Sequence, residues 1–300
     1  MKGCMRSLFA VLLPVIAVPA GAIDVENINV DVDASAVWDN NQSQAQFERD
    51  QVEDTSLLVG ARVGYGMPLS RQSLLNMSVF SELEAFDLID TLNRTTFGLK
   101  GAYRWQPSSA FTAPIVEFNM SWQDDNIKES ARDSGVLISQ LFVTRRITDR
   151  VTGTAGLQYR QRDSAGSVWD LEDARIFLNA DYVVGKHLAA YFTYSYIEGD
   201  ASSSAQREYC NGVLATDILP LINVKTAVEE DNAYNNALCG EWVAYRLDAT
   251  SNTFTLGANY AFSHSMSVDV SVLSANVTAK EDSSVSYDRQ LIRLSLLKRF

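Results

Sequence analysis

Histidine is nearly absent from this sequence, with only His187 and His264 in 300 residues. Neither lies near a G-x-S-x-G or other nucleophile signature, so Ser–His or Cys–His chemistry has little to be built from. Beyond residue 22 there is no apolar run of 18 or more residues, which excludes a helical membrane protein. Helical periodicity is also poor. Positive charge is in deficit: 25 Lys and Arg against 37 Asp and Glu give a net charge of −12, which argues against nucleic acid as a partner. Cysteine is scarce, with three in all.

The first residues read as an export signal. Lys2 and Arg6 form a basic region, Leu8 to Val18 an apolar one interrupted by Pro14, and Ala20-Gly21-Ala22 an A-x-A cleavage site. Cleavage before Ile23 is predicted, leaving 23–300 as the mature chain with a net charge of −14 once two cations are removed. Cys4 leaves with the signal. Cys210 and Cys239 remain as an even pair in an exported protein, for which a disulfide is the default. It would close a loop of about 30 residues, worth roughly 3–4 kcal/mol in the chain-entropy model. A metal site is the alternative, but neither cysteine has a histidine or a second cysteine nearby.

What the mature chain has is alternation. Segments of about ten residues with period 2 recur between turn residues, the strand period. One reads Leu57, Val59, Ala61, Val63, Tyr65 against Leu58, Gly60, Arg62, Gly64; another Phe97, Leu99, Gly101, Tyr103, Trp105 against Thr96, Gly98, Lys100, Ala102, Arg104. Twelve such segments are counted, with 10 or 14 as the alternatives because Val136 to Arg145 is apolar on both faces. Connections after even-numbered strands are mostly tight: 67–72, 106–113, 146–150, 183–187 and 263–265. Those after odd-numbered strands are mostly longer and polar: 40–55, 87–94, 123–135, 161–172, 198–252 and 281–288. The aromatics sort likewise, with Trp38, Trp122, Tyr159 and Tyr196 at the loop end and Tyr65, Trp105, Tyr182, Phe262 and Phe300 at the turn end. Two belts suit two membrane interfaces; core aromatics of a soluble β-protein are the other reading.

The last segment carries Ile292, Leu294, Leu296 and Phe300 on one face, broken by Lys298. A terminal strand ending in an aromatic, together with the export signal and the alternating segments, resembles bacterial outer-membrane β-barrels, and specifically the β-barrel porin families of Gram-negative bacteria. The resemblance implies an all-β, antiparallel, up-and-down transmembrane barrel with short periplasmic turns and long extracellular loops. It also implies an outer-membrane location, contact with lipid and lipopolysaccharide, and recognition of the C-terminal strand by the barrel-assembly machinery. Lys298 departs from the usual apolar residue third from the end, although lysine can snorkel to the interface.

The inward face of such a barrel is predicted to carry Arg62, Lys100, Arg104, Arg160, Arg175 and Arg293, together with Asp31, Asp33, Glu82, Glu84, Glu117, Asp181 and Asp269. Charges of both signs either create a field across a water-filled pore or pair up and fill it. The function the resemblance implies is a passive channel for small polar solutes. A non-conducting barrel in adhesion, envelope structure or surface-polysaccharide export is the alternative, suggested by the long cysteine-bearing loop. An outer-membrane lipase or protease is disfavoured because both histidines fall in predicted periplasmic turns. No cofactor, metal site or catalytic residue is expected.

Overall fold

The computed structural model describes residues 27–218, 227–280 and 285–300. The predicted signal peptide, Leu219 to Val224 of the long loop and Glu281 lie outside the described residues. The chain forms β1 (Ile28–Asp39), β2 (Asp54–Pro68), β3 (Ser73–Phe86), β4 (Arg94–Trp105), β5 (Ile115–Ile127), β6 (Ser134–Arg146), β7 (Val151–Ser164) and β8 (Leu171–Val183). It continues with β9 (Leu188–Glu208), β10 (Val228–Glu230), a short helix α1 (Asn232–Ala237), β11 (Glu241–Ser263), β12 (Met266–Ala279) and β13 (Ser286–Arg299). Neighbours pair antiparallel in sequence order, β13 closes on β1 and β9 on β11. The result is a closed barrel of twelve strands, the predicted count; the thirteenth, β10, pairs only with the outer part of β11.

The burial pattern is inverted relative to a water-soluble sheet. Leu57, Leu83, Leu157 and Leu256 are among the most exposed residues of the wall, at 62, 57, 55 and 65%. Their strand neighbours on the inner face include the buried Ser35, Thr96, Asn119, Ser195 and Ser295. An apolar outside around a polar inside suits hydrocarbon as the solvent, where every backbone group must be satisfied within the sheet. Ile292, Leu294, Leu296 and Phe300 lie on this outer face. Lys298 shares it, with Nζ 5.3 Å from the Phe300 ring centroid and 3.2 Å from Ser265 Oγ at the periplasmic edge.

The two-sided apolar pattern of β6 is explained by its neighbours. Phe142 and Phe177 face each other across Gly156 in register, with ring centroids 6.4 Å apart. A Cβ at Gly156 would collide with both side chains, so glycine is what lets two aromatics lie inside the wall.

The loops are shorter than the sequence suggests. β5 runs on to Ile127, β7 to Ser164, β9 to Glu208, and β11 begins at Glu241, all within segments read as loop. The hydrophilic residues there, such as Gln123 to Asn126, mark the point where the wall leaves the bilayer. Above that level the ladder continues, but its outer face no longer needs to be apolar. Both ends of the predicted loop 198–252 are therefore a hairpin extension of β9 and β11. It is closed near its tip by a disulfide between Cys210 and Cys239, with Cα atoms 5.2 Å apart.

This hairpin bends at a defined place. β8 pairs with β9 as far as Asp173↔Gly199, and β12 pairs with β11 as far as Ala279↔Ala249. Gly199 and Ala249 are themselves partners. Both lateral ladders thus stop within a residue of one level, the last bond running from the Lys280 amide to the Asp248 carbonyl, and beyond it the ribbon is held by loops and side-chain packing. Gly199 has φ +146, and a Cβ there would collide with the Glu172 carbonyl and Asp173 Cα.

Replacing Gly199 with valine is expected to dislodge the hairpin while leaving the barrel folded. Limited proteolysis should then cut between 200 and 248, with the heat-dependent gel mobility of the barrel unchanged. Reduction of Cys210–Cys239 is expected to act in the same region, by about 3 kcal/mol for a loop of this size. Cuts confined to the hairpin are the expected product, and loss of the barrel band on reduction would contradict it.

Candidate functional site

Among the described residues, most of the buried apolar side chains lie at the outer mouth, where the bent hairpin meets the loops. Five strand steps separate β11 from β3 in one direction and β9 from β4 in the other, so the β9–β11 and β3–β4 hairpins stand opposite each other across the barrel. Yet Thr91 of the β3–β4 loop donates its hydroxyl to the Ala233 carbonyl in α1, at 2.9 Å. Ile89, Leu92, Val52, Tyr234 and Trp242 form one buried cluster, with Tyr234 and Trp242 stacked 5.1 Å apart. The hairpin therefore spans the whole opening. Twelve strands at about 4.8 Å spacing and a tilt near 40° give a ring about 24 Å across. The nine residues from Asp200 to Glu208 reach about 30 Å when extended, enough to cross it.

Four loops hold the hairpin. From β5–β6, Arg132 donates to both carboxylate oxygens of Asp231 at 2.8 and 2.9 Å, and its guanidinium lies 4.5 Å from the Trp169 ring centroid. Ser204 Oγ donates to the same carboxylate at 2.5 Å, and Asp231 is fully buried. From β7–β8, the Ser167 amide and hydroxyl donate to Glu229 at 2.7 and 2.6 Å. From β1–β2, Arg49 grips Asp217 with one nitrogen on both oxygens, at 2.8 and 2.7 Å. The Ser204 amide in turn donates to the Ser43 carbonyl at 2.9 Å. Ala215 and Ile218, from the apolar stretch of the long loop, are buried beside Val243, Tyr245 and Leu247.

Three of the loops share one construction that the sequence reading missed. Each has a single 3₁₀ turn, at 90–92, 130–132 and 167–169, followed by Asn93, Asp133 or Asp170. The side-chain oxygen of that residue accepts from the last strand's Phe86, Ile127 or Ser164 amide, at 2.8, 2.6 and 2.6 Å. The Lys128 and Glu129 amides donate to Asn93 and Thr91, and Ala165 and Gly166 to Asp133 and Ala131, which fastens each loop to the one before. An Asn or Asp six or seven residues past a strand end, directly before the next strand, was the available signal. Arg132, Asp231, Trp169 and Tyr234 carried none, because their partners lie far off in sequence.

Below the cap is a polar lumen. A cavity of about 600 Å³ is bordered by Arg94, Arg160, Arg162, Arg289 and Arg293 together with Asp39, Asp54, Glu84 and Asp200. Toward the periplasm, a second of about 730 Å³ is bordered by Asp31, Asp33, Arg62, Glu82, Arg94 and Arg293. Arg293 and Arg94 border both, at mid-height. Many of these charges are paired. Arg94 donates to Glu84 at 2.8 Å, Arg160 to Asp173 at 2.5 Å, Arg299 to Asp31 at 2.8 Å, and Arg289 pairs with Asp39. Other sites are held by neutral partners: Arg175 donates to Ser195 Oγ, Asp269 accepts from the Tyr191 hydroxyl, and Asp181 accepts from Asn179. Arg62 lies over Phe80 at 5.8 Å, and Phe80 lies flat against Gly98. Arg104 is opposite Glu117 in register near the periplasmic turns, and Lys100 is opposite Ser78 and Ser121. The charged side chains named from the sequence are thus distributed along the lumen and do not converge on one cluster. The two histidines lie at the periplasmic end, His187 against the Ala261 carbonyl at 3.1 Å.

Two carboxyls beneath the cap are poorly compensated. Asp50 is fully buried, and neither of its oxygens completes a hydrogen bond; Arg49 Nε stands 3.7 Å away. Burial pushes its carboxyl up to about 6, with Arg49 and the Gln206 amide only partly offsetting the effect. Burial also pushes Glu129 upward, opposed chiefly by Arg132. No metal-binding group of three or more His, Cys, Asp or Glu exists among the described residues.

No protein-family model matches this chain, and no curated protein matches it. Solved structures do. An outer-membrane channel from Pseudomonas putida F1 superposes with a TM-score of 0.59 at 11% identity, over 91% of this chain and 96% of that one. The KdgM porin, solved with disordered oligogalacturonate, gives 0.45 at 11% identity over 90% and 99%, and the NanC porin 0.42 at 10% over 89% and 98%. At 11% identity, the first of these shares the fold with this chain: a closed barrel of the kind found in outer-membrane channels.

Proposed function

We propose that the protein is a porin-like passive channel for small polar solutes in the bacterial outer membrane, with an outer mouth covered by its own hairpin. The observation that carries this reading is the polar lumen. Two cavities of about 600 and 730 Å³ run down the barrel axis, share Arg94 and Arg293, and are edged by charges of both signs. A wall that existed only to hold a surface structure would not need a hydrated, charged interior of this size. Paired opposite charges solvate polar solutes without trapping ions of one sign, which favours weak charge selectivity.

The same reading assigns the remaining parts. Residues 1–22 act as a cleaved export signal. The C-terminal strand, with Phe300 and its outward apolar partners, is the element the barrel-assembly machinery engages. Phospholipid surrounds the apolar belt, and lipopolysaccharide surrounds the acidic outer rim. Arg62 and Arg293, which border the cavity together with Asp31, Asp33 and Glu82, act as the lumen's selectivity-determining charges. No chemical step is assigned to either histidine.

Planar-bilayer recording of the purified barrel is expected to show discrete conductance steps and a reversal potential close to zero in a potassium chloride gradient. The double substitution Arg62→Glu and Arg293→Glu is expected to shift the reversal potential toward cation preference while the protein remains folded. Absence of steps under all conditions, including after removal of the hairpin's Arg132 contact, would refute the channel. A reversal potential unmoved by both charge reversals would show that these residues do not line the conduction path.

A further inference from the structure

The hairpin that covers the mouth has the parts of a hinged lid. Its described portions, Asp200–Ile218 and Ala227–Asp248, leave the barrel wall at one level, where the β8 and β12 ladders both end on the Gly199–Ala249 pair. Beyond that level one backbone bond, from the Lys280 amide to the Asp248 carbonyl at 2.9 Å, still joins it to the β12 side. The Cys210–Cys239 disulfide ties its two strands near the tip, so the ribbon moves as one body. What holds it down is a set of polar contacts to the loops, of which Arg132–Asp231 is the most buried, and three apolar clusters, around Trp242, around Tyr245 and Leu247, and around Trp169. Two-state elements of this kind are set by the balance between such contacts and the cost of what they bury.

Here closure buries acid. Asp50 lies between the β1–β2 loop and the inner faces of β9 and β11. The groups facing it are Arg49 on its own loop, the Gln206 amide of β9, the Tyr245 phenol of β11, and Asp217 from the segment after β9. Arg49 gives its terminal nitrogen to Asp217 and reaches Asp50 only through Nε at 3.7 Å, so Asp50 shares its one nearby cation. At the far side, Glu129 lies under α1 facing Arg132, the Asn232 side chain and Asp231, and its Oε2 has no partner. Arg132 is likewise committed, to Asp231. Opening the hairpin would return both carboxyls to water.

We propose that the β9–β11 hairpin is a lid over the lumen, hinged at Gly199 and Ala249, that Asp50 and Glu129 beneath it close at acidic pH and loosen at neutral pH. The inference rests on the channel reading only for its consequence; the movement itself does not require conduction. The direction follows from burial. A carboxyl raised from 3.8 to about 6 in the closed form binds its proton more tightly there than in the open form. The closed form is therefore favoured below about pH 4 and loses that advantage as pH rises through about 6. For Asp50 alone, the closed-to-open ratio is expected to change about tenfold between pH 5 and pH 7.5.

The experiment is a pair of spin labels on the full-length barrel in detergent or nanodiscs, at the exposed Leu88 on the β3–β4 loop and the exposed Asn236 on α1. One short distance at pH 5, joined at pH 7.5 by a longer one, is the expected result. Asp50→Asn with Glu129→Gln should hold the short distance at both pH values, and Arg132→Gln should populate the longer one even at pH 5. An identical distance distribution at pH 5 and 7.5 in the unsubstituted lumen would overturn the lid. A pH response that survives the double substitution would overturn the assignment of Asp50 and Glu129. Bilayer recording separates the two readings. A pH-dependent distance without conductance removes the channel and leaves the lid, whereas conductance with a fixed distance does the reverse.

Discussion

Closure of the sheet is the constraint from which the rest of this structure follows. A backbone amide or carbonyl left unpaired in hydrocarbon costs several kcal/mol, so a β-protein can cross a bilayer only as a ring with no free edge. The pairing of β13 with β1 and of β9 with β11 supplies that ring. Once the ring exists, its outer face must be apolar, as Leu57, Leu157 and Leu256 are, and its inner face is free to be polar. The ordinary logic of a core is thereby reversed, and the chain has to find another place to pack its buried apolar side chains.

That place is the outer mouth. Trp242, Tyr234, Ile89, Leu92 and Val52 make a compact cluster above the membrane, and Tyr245, Leu247 and Ile218 another. Both depend on two strands that continue past the rim. β9 and β11, at 21 and 23 residues, are the longest of the barrel, and no other strand exceeds 15. Their surplus length is free to fold over because no neighbour continues beside it, except β10, which pairs with β11 alone. Cap and barrel are therefore joined through one ribbon, a ring of loop contacts and the packing of Val277 and Tyr287 against the Tyr245 cluster.

The barrel was legible in the sequence because membrane-facing alternation repeats twelve times, so individual ambiguities cancel. β6 shows the limit: Phe142 looked misplaced until Phe177 and Gly156, each in a different strand, were seen beside it. The cap was not legible for the same physical reason that makes it a cap. Its contacts join residues such as Arg132 and Asp231, which are 99 positions apart, and Thr91 and Ala233, 142 apart. No local period encodes them. Polar stretches such as Gln123 to Asn126 misled because hydrophilicity on both faces reads as loop. In fact it marks a strand that has left the bilayer but not the ladder. The disulfide was readable from compartment and parity alone, while its location at the tip of a hairpin was not.

The lumen and the cap treat charge in opposite ways, and the difference bears on what each can do. In the lumen, acids such as Glu84, Asp173 and Asp39 each have an arginine at hydrogen-bonding distance, and open water is close by. Changing the protonation of one such pair would cost its partner's compensation but would not alter burial. Under the cap, Asp50 is fully buried and Glu129 half-buried, and the arginines beside them are shared with other carboxylates. Their charge is thus tied to the position of the hairpin in a way that the lumen charges are not. An interior built only to be filled would have neutralised these two sites with apolar side chains, since replacing an uncompensated buried carboxylate is generally stabilising. Retaining them makes the closed mouth less stable than it could be, and that margin is what allows a covered barrel to open.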